Sequence, residues 1–101
     1  MAKKQLHFVL PPIIQIGAIP VRVKDGRLND DELGCYDSGT SLITIDMKKL
    51  TSDAHVMVCL LHEVGHAIDY VYNLKRTDGD VDRCAHGYAQ AFFYIAEAQK
   101  D

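Results

Sequence analysis

No stretch of this sequence approaches the roughly 20 consecutive apolar residues that cross a bilayer, although 48% of its 101 residues are hydrophobic. The N-terminal run carries Lys3 and Lys4, but Pro11 and Pro12 break it before the core of an export signal forms. The expectation is a soluble, cytoplasmic protein without membrane contact. Positive charge is also short: the formal net charge is −3, and Lys3 and Lys4 are the only lysines or arginines before Arg22. That balance argues against a nucleic-acid footprint. Cysteine is scarce, odd in number and never paired as C-x-x-C. Cys35, Cys59 and Cys84 therefore suggest neither a disulfide framework nor a thiolate metal site, but reduced, mostly buried thiols. No Gly- or Ser-rich linker, internal repeat or low-complexity segment divides the chain, so residues 1–101 read as one small domain.

Against these absences stands the run from Val58 to Asp69, which contains H-E-x-x-H as His62, Glu63 and His66. With five histidines and three glutamates in the chain, random order yields about 0.007 copies of that pattern. On a helix, residues four apart share a face with Cβ atoms roughly 5–6 Å apart, so both imidazoles reach one ion. Zn²⁺ suits such a pair: it takes neutral imidazole nitrogen and, in catalytic sites, three protein ligands plus a water. Glu63, adjacent to a ligand, is placed to act as general base toward that water. A purely structural reading would bury two imidazoles and a carboxylate on an apolar helix, each needing partners to offset its desolvation. Cys59, three residues before His62, shares the face and is expected to approach the site without ligating.

The flanking pattern predicts α+β architecture. Ile13 to Val23 reads as one strand, which Pro20 demotes locally to an edge, and Lys24 to Arg27 supplies a turn before the charged loop Asn29 to Glu32. Leu33 to Tyr36 and Leu42 to Ile45 read as a hairpin about the turn Asp37 to Thr40. Helical periodicity then covers Asp53 to Asn73, capped by Thr51 or Ser52, with Val56, Leu60, Val64, Ala67, Ile68 and Val71 on the core face. After a break at Thr77 to Asp80, a last helix from Val81 to Gln99, capped by Asp80, carries the stripe Val81, Cys84, Ala85, Tyr88, Phe92 and Ile95. The predicted fold is a three-stranded, mainly antiparallel sheet packed on a two-helix hairpin that carries the motif, a zincin-like arrangement.

Two histidines do not complete a catalytic zinc site. An extended motif ending in a third histidine is excluded, because positions 69 and 72 hold Asp69 and Tyr72. Glu97 lies near the chain end, in a position expected to be solvated. Asp82 and His86, four residues apart on the last helix, are the candidates for the third ligand: Asp82 is preferred because it completes a two-His, one-carboxylate set and leaves His86 as an outer or substrate contact, while His86 as the alternative lies deeper in the helix. Asp69, one turn past His66, reads as a supporting or capping carboxylate. Tyr36, Tyr70, Tyr72, Tyr88 and His86 are the candidates for stabilising an oxyanion.

The run Leu60 to Tyr70, with the strand Ile43 to Asp46 before it and Asp82 to Gln90 after it, resembles the ImmA/IrrE-type zinc metallopeptidases, in particular their short phage and prophage forms. The resemblance spans roughly Gly34 to Phe93. It implies a minimal thermolysin-like zincin in which the family's second-helix pattern E-x-x-A-N-x-F-A falls on Asp82, Ala85, His86, Tyr88 and Ala89. The glutamate ligand of the family then corresponds to Asp82, one methylene shorter, and its asparagine to His86. By resemblance the activity is zinc-dependent cleavage of a regulatory, repressor-like protein related to phages or mobile elements. The alternative is a binding or regulatory protein that keeps the scaffold without cutting.

Overall fold

The computed structural model describes residues 6–98; the expected helix end at Gln99 and the side chains of Ile95 and Glu97 lie outside the described residues. Four strands, β1 (Ile13–Ile16), β2 (Ile19–Asp25), β3 (Gly34–Asp37) and β4 (Leu42–Ile45), precede a 3₁₀ turn at Met47–Lys49. The helices α1 (Asp53–Tyr72) and α2 (Asp78–Ala98) follow.

The sheet is mixed and four-stranded, in the order β1-β2-β4-β3, which corrects the expected three-stranded, mainly antiparallel sheet. β1 and β2 form an antiparallel hairpin in which Ile16 faces Ile19. The two-residue turn between them places Gly17 at φ +58°, a conformation glycine enters without steric cost. β2 and β4 pair in parallel from Arg22 against Leu42 to Asp25 against Ile45, and β3 pairs antiparallel with β4 on the outside. β2 is thus interior. Pro20 survives there because the parallel ladder starts only beyond it, with the Arg22 N–H donating to the Ser41 carbonyl (3.0 Å).

Alternation along the strands puts Val21, Val23, Ile43 and Ile45 on the inner face, where they pack with Leu50, Val56, Leu60 and Ala67 of the following segment. Ser52 caps α1: its hydroxyl accepts the His55 N–H (3.1 Å), and Asn73 closes the helix in the left-handed region at φ 55°. Asp53 also accepts the N–H groups of His7 and Phe8 (2.9 and 3.1 Å), tying the segment before β1 to the helix start.

α2 packs against α1 but begins three residues earlier than expected. Thr77 and not Asp80 caps it, accepting the Asp80 N–H on its hydroxyl (3.1 Å) and the Val81 N–H on its carbonyl (3.0 Å). Contact between the helices runs through small residues. Val81, Ala85 and Ala89 are buried, whereas Tyr88 and Phe92 from the expected stripe are largely exposed and stack on each other. A Cβ at Gly65 would lie 2.7 Å from Cγ1 of Val81, so glycine there sets how closely the helices approach.

Candidate metal centre and cleft

The helical spacing brings His62 and His66 together edge to face, and the first turn of α2 delivers Asp78 to them. The three facing atoms form a small triangle. Nε2 of His62 lies 3.0 Å from Nε2 of His66 and 3.2 Å from Oδ1 of Asp78, and Nε2 of His66 lies 2.9 Å from that same Oδ1. Ligands tetrahedrally arranged about Zn²⁺ at about 2.0–2.1 Å stand roughly 3.3 Å apart, so the triangle is near the size a zinc ion needs.

With its proton on Nδ1, donated to Oδ1 of Asp82 3.2 Å away, His62 would present Nε2 as a lone pair toward the other two groups. That lone pair faces a carboxylate oxygen and a second ring nitrogen. Hydrogen bonds satisfy at most two of the three edges, while one cation satisfies all three. The donor set, two imidazoles and a carboxylate, is of the type that binds zinc.

The residues expected from sequence thus divide. His62 and His66 converge as anticipated. Asp82, the carboxylate preferred as third ligand from sequence, instead contacts the opposite ring nitrogen of His62, and Asp78 takes the third corner of the trio. His86 lies outside the trio, with Nε2 3.7 Å from Oδ2 of Asp82. Asp69 points away to Arg76, which donates to it through Nε (2.8 Å) and approaches at 2.7 Å through a terminal nitrogen. Asp78 was not singled out from sequence. The available signal was its place one turn before Asp82 on the same face, hidden by reading Thr77 to Asp80 as a loop.

Glu63 is buried beside the histidines, next to β3. Burial pushes its carboxyl above the ordinary range, and His62 and His66 pull it partly back. A Cβ at Gly34 would fall 3.0 Å from Cγ and 3.1 Å from Oε2 of Glu63, so the bare backbone of β3 lets the carboxylate lie directly under the strand. Cys59 also touches this position. Its thiol is pushed up to about 11, chiefly by burial and then by Glu63, which keeps it protonated and inert at neutral pH. All three cysteines are free; Cys59 is buried, and Cys35 and Cys84 are half-buried.

These groups floor a cleft of about 820 Å³ between β3 and the helices. One wall is Asp31 to Tyr36, the other runs along α1 from Ala54 to His66, and Asp78, Asp82 and His86 close the end. Of the oxyanion candidates, Tyr36 and His86 line this cleft. Tyr88 lines a separate groove between α1 and α2, Tyr72 approaches Gly17, and Tyr70 meets Tyr36 edge-on.

β3 is an outer strand of the sheet. The Leu33 carbonyl accepts from Asp46 N–H (2.9 Å), so alternation turns the main-chain groups of residues 33, 35 and 37 toward β4 and those of Gly34 and Tyr36 outward. Comparison with protein-family models, with curated proteins and with solved structures returned no match. Among the described residues no helix is long and apolar enough to cross a membrane.

Proposed function

We propose that this chain is a zinc-dependent metallopeptidase acting on an extended segment of a regulatory, repressor-like protein. The observation that carries the reading is the convergence of two imidazole nitrogens and a carboxylate oxygen within 2.9–3.2 Å, beside a buried glutamate and at the floor of a cleft. His62, His66 and Asp78 would hold the ion, and Asp82 would keep His62 in the tautomer that presents Nε2. When bound, zinc supplies Lewis acidity toward a carbonyl and makes water a nucleophile near neutral pH.

The chain's own groups supply the rest. Glu63 accepts a proton from the attacking water and returns it to the leaving amine, a role suited to a carboxylate whose proton affinity burial has raised. The outward N–H and C=O groups of Gly34 and Tyr36 pair with an extended backbone by strand addition, laying a scissile bond over Glu63. Tyr36 or His86 donates to the developing oxyanion. The repressor-like substrate rests on the resemblance to ImmA/IrrE-type peptidases, as does the zincin assignment of the fold.

The test begins with metal analysis of the purified protein, with one zinc per chain expected. Wild type and Glu63→Gln are then co-expressed with repressor-like candidates encoded nearby. A discrete product from wild type alone, with zinc retained in both proteins, supports the proposal. The loss in Glu63→Gln is expected at about 10²–10⁴-fold. If both versions leave every candidate intact yet bind one equally well, a binding function on this scaffold takes its place.

A further inference from the structure

The third member of the trio is the least anchored. His62 and His66 are fixed by the packed body of α1, whereas the Asp78 side chain is 80% exposed and sits at the first residue of α2. Its position depends on how the turn at residues 73–77 joins the helices. Asn73 ends α1 in the left-handed region, and from there the chain must bring Asp78 back some three turns along α1 to reach His66 and His62.

One side chain spans that turn. Arg76 stands two residues before Asp78 and turns back onto α1, donating to Asp69 through Nε (2.8 Å) and reaching the Gly65 carbonyl at 3.4 Å. On the other side its guanidinium reaches Sγ of Cys84 in α2 at 3.7 Å. Arg76 therefore contacts α1 at two points one turn apart and α2 at a third. The Gly65 carbonyl belongs to the residue just before His66, so the strut is seated on the motif itself. A planar fork serves this geometry because it holds several acceptors in fixed directions, which a lysine ammonium on a flexible stem does not.

We infer that Arg76 is a positioning residue for the metal: by bridging Asp69, the Gly65 carbonyl and Cys84 it fixes the helix register that brings Asp78 to His62 and His66. The inference rests on the proposed zinc site and concerns how that site is completed. Outer groups that orient metal ligands typically contribute about 10–100-fold to metal affinity. Loss of Arg76 should fall in that range, and it should act only through Asp78.

The test is a double-mutant cycle on the whole chain. Zn²⁺ affinity is measured by competition with a chelator for wild type, Arg76→Met, Asp78→Ala and the double variant, and Co²⁺ visible spectra report the coordination geometry. Arg76→Met retains the apolar stem; Arg76→Lys, which keeps the charge and loses the fork, serves if the first variant does not fold. The expected result is a loss of about 10–100-fold in the Asp78 background, with a changed Co²⁺ spectrum, and a change within about twofold once Asp78 is alanine. Equal losses in both backgrounds would show a general brace of the helix pair and overturn the inference, as would unchanged affinity and spectrum. A wild-type chain that binds no zinc overturns the metal proposal itself, which separates the two failures.

Discussion

Replacing Gly65 by alanine puts the helix seam under a measurable load. The added methyl carbon would lie 2.7 Å from Cγ1 of Val81, whereas carbon atoms in good contact sit about 3.5–4.0 Å apart. α2 must therefore retreat by about 1 Å at this point, or Val81 must leave its rotamer. Overpacking of this kind costs about 1–3 kcal/mol. Alanine regains about 0.8–1.0 kcal/mol of helix propensity over glycine, so the net effect is about 0–2 kcal/mol of destabilisation. In a domain of this size each kcal/mol lowers Tm by about 4–8 °C. The effect on zinc should be disproportionate: the same shift moves Asp78, and metal–ligand distances tolerate only about 0.2 Å. The assay is thermal unfolding in chelator, followed by zinc titration of the folded protein. A Gly65→Ala protein that is more stable than wild type and binds zinc with undiminished affinity would refute both the contact and its link to Asp78.

Other outcomes follow from the same geometry. Asp78→Ala should reduce zinc affinity more than Asp82→Ala, because one removes a proposed ligand and the other the partner of His62 Nδ1; competition titration ranks them, and the reverse order would restore Asp82 as ligand. Asp46, buried at the end of β4, accepts the Leu28 N–H (3.0 Å) and faces Lys49, and these hold its carboxyl below the ordinary 3.8. The proton is bound more tightly in the unfolded chain, so this stabilisation is complete above that ordinary value and is lost as pH falls through the lowered one. Asp46→Asn should flatten the acid limb of a stability–pH curve measured by denaturant unfolding, and an unchanged limb would refute the assignment.

The parts of this molecule legible in sequence are those specified by local chemistry. The hairpin of β3 and β4 follows from alternation about the turn at residues 37–40, and α1 from its serine cap and 3.6-residue stripe. The positions of His62, Glu63 and His66 need only the helix. The parts that escaped depend on contacts between distant segments. Gly17-Ala18 is a weak turn signal inside an apolar run, so two strands read as one, and no local feature announces that β2 and β4 will pair in parallel. Asp78 escaped because aspartate–glycine–aspartate reads as loop, while in the fold Thr77 caps those residues into the helix. Tyr88 and Phe92 fit an apolar stripe, but the helices meet so closely at Gly65, Ala85 and Ala89 that the large rings are pushed to the rim.

The mixed sheet also sets an order of assembly. Each hairpin, β1 with β2 and β3 with β4, closes over a short turn at little loop entropy, whereas the parallel seam between β2 and β4 joins residues about 20 apart in sequence. The β3–β4 hairpin and α1 form one continuous stretch, Gly34 to Tyr72, that already contains part of the cleft wall, Glu63 and both histidines. The contacts of β3 with α1 span a longer separation still, Gly34 lying against Cys59 and Glu63, so loop closure favours the two hairpins first and the candidate site after them. The seam itself contains none of His62, His66 and Asp78.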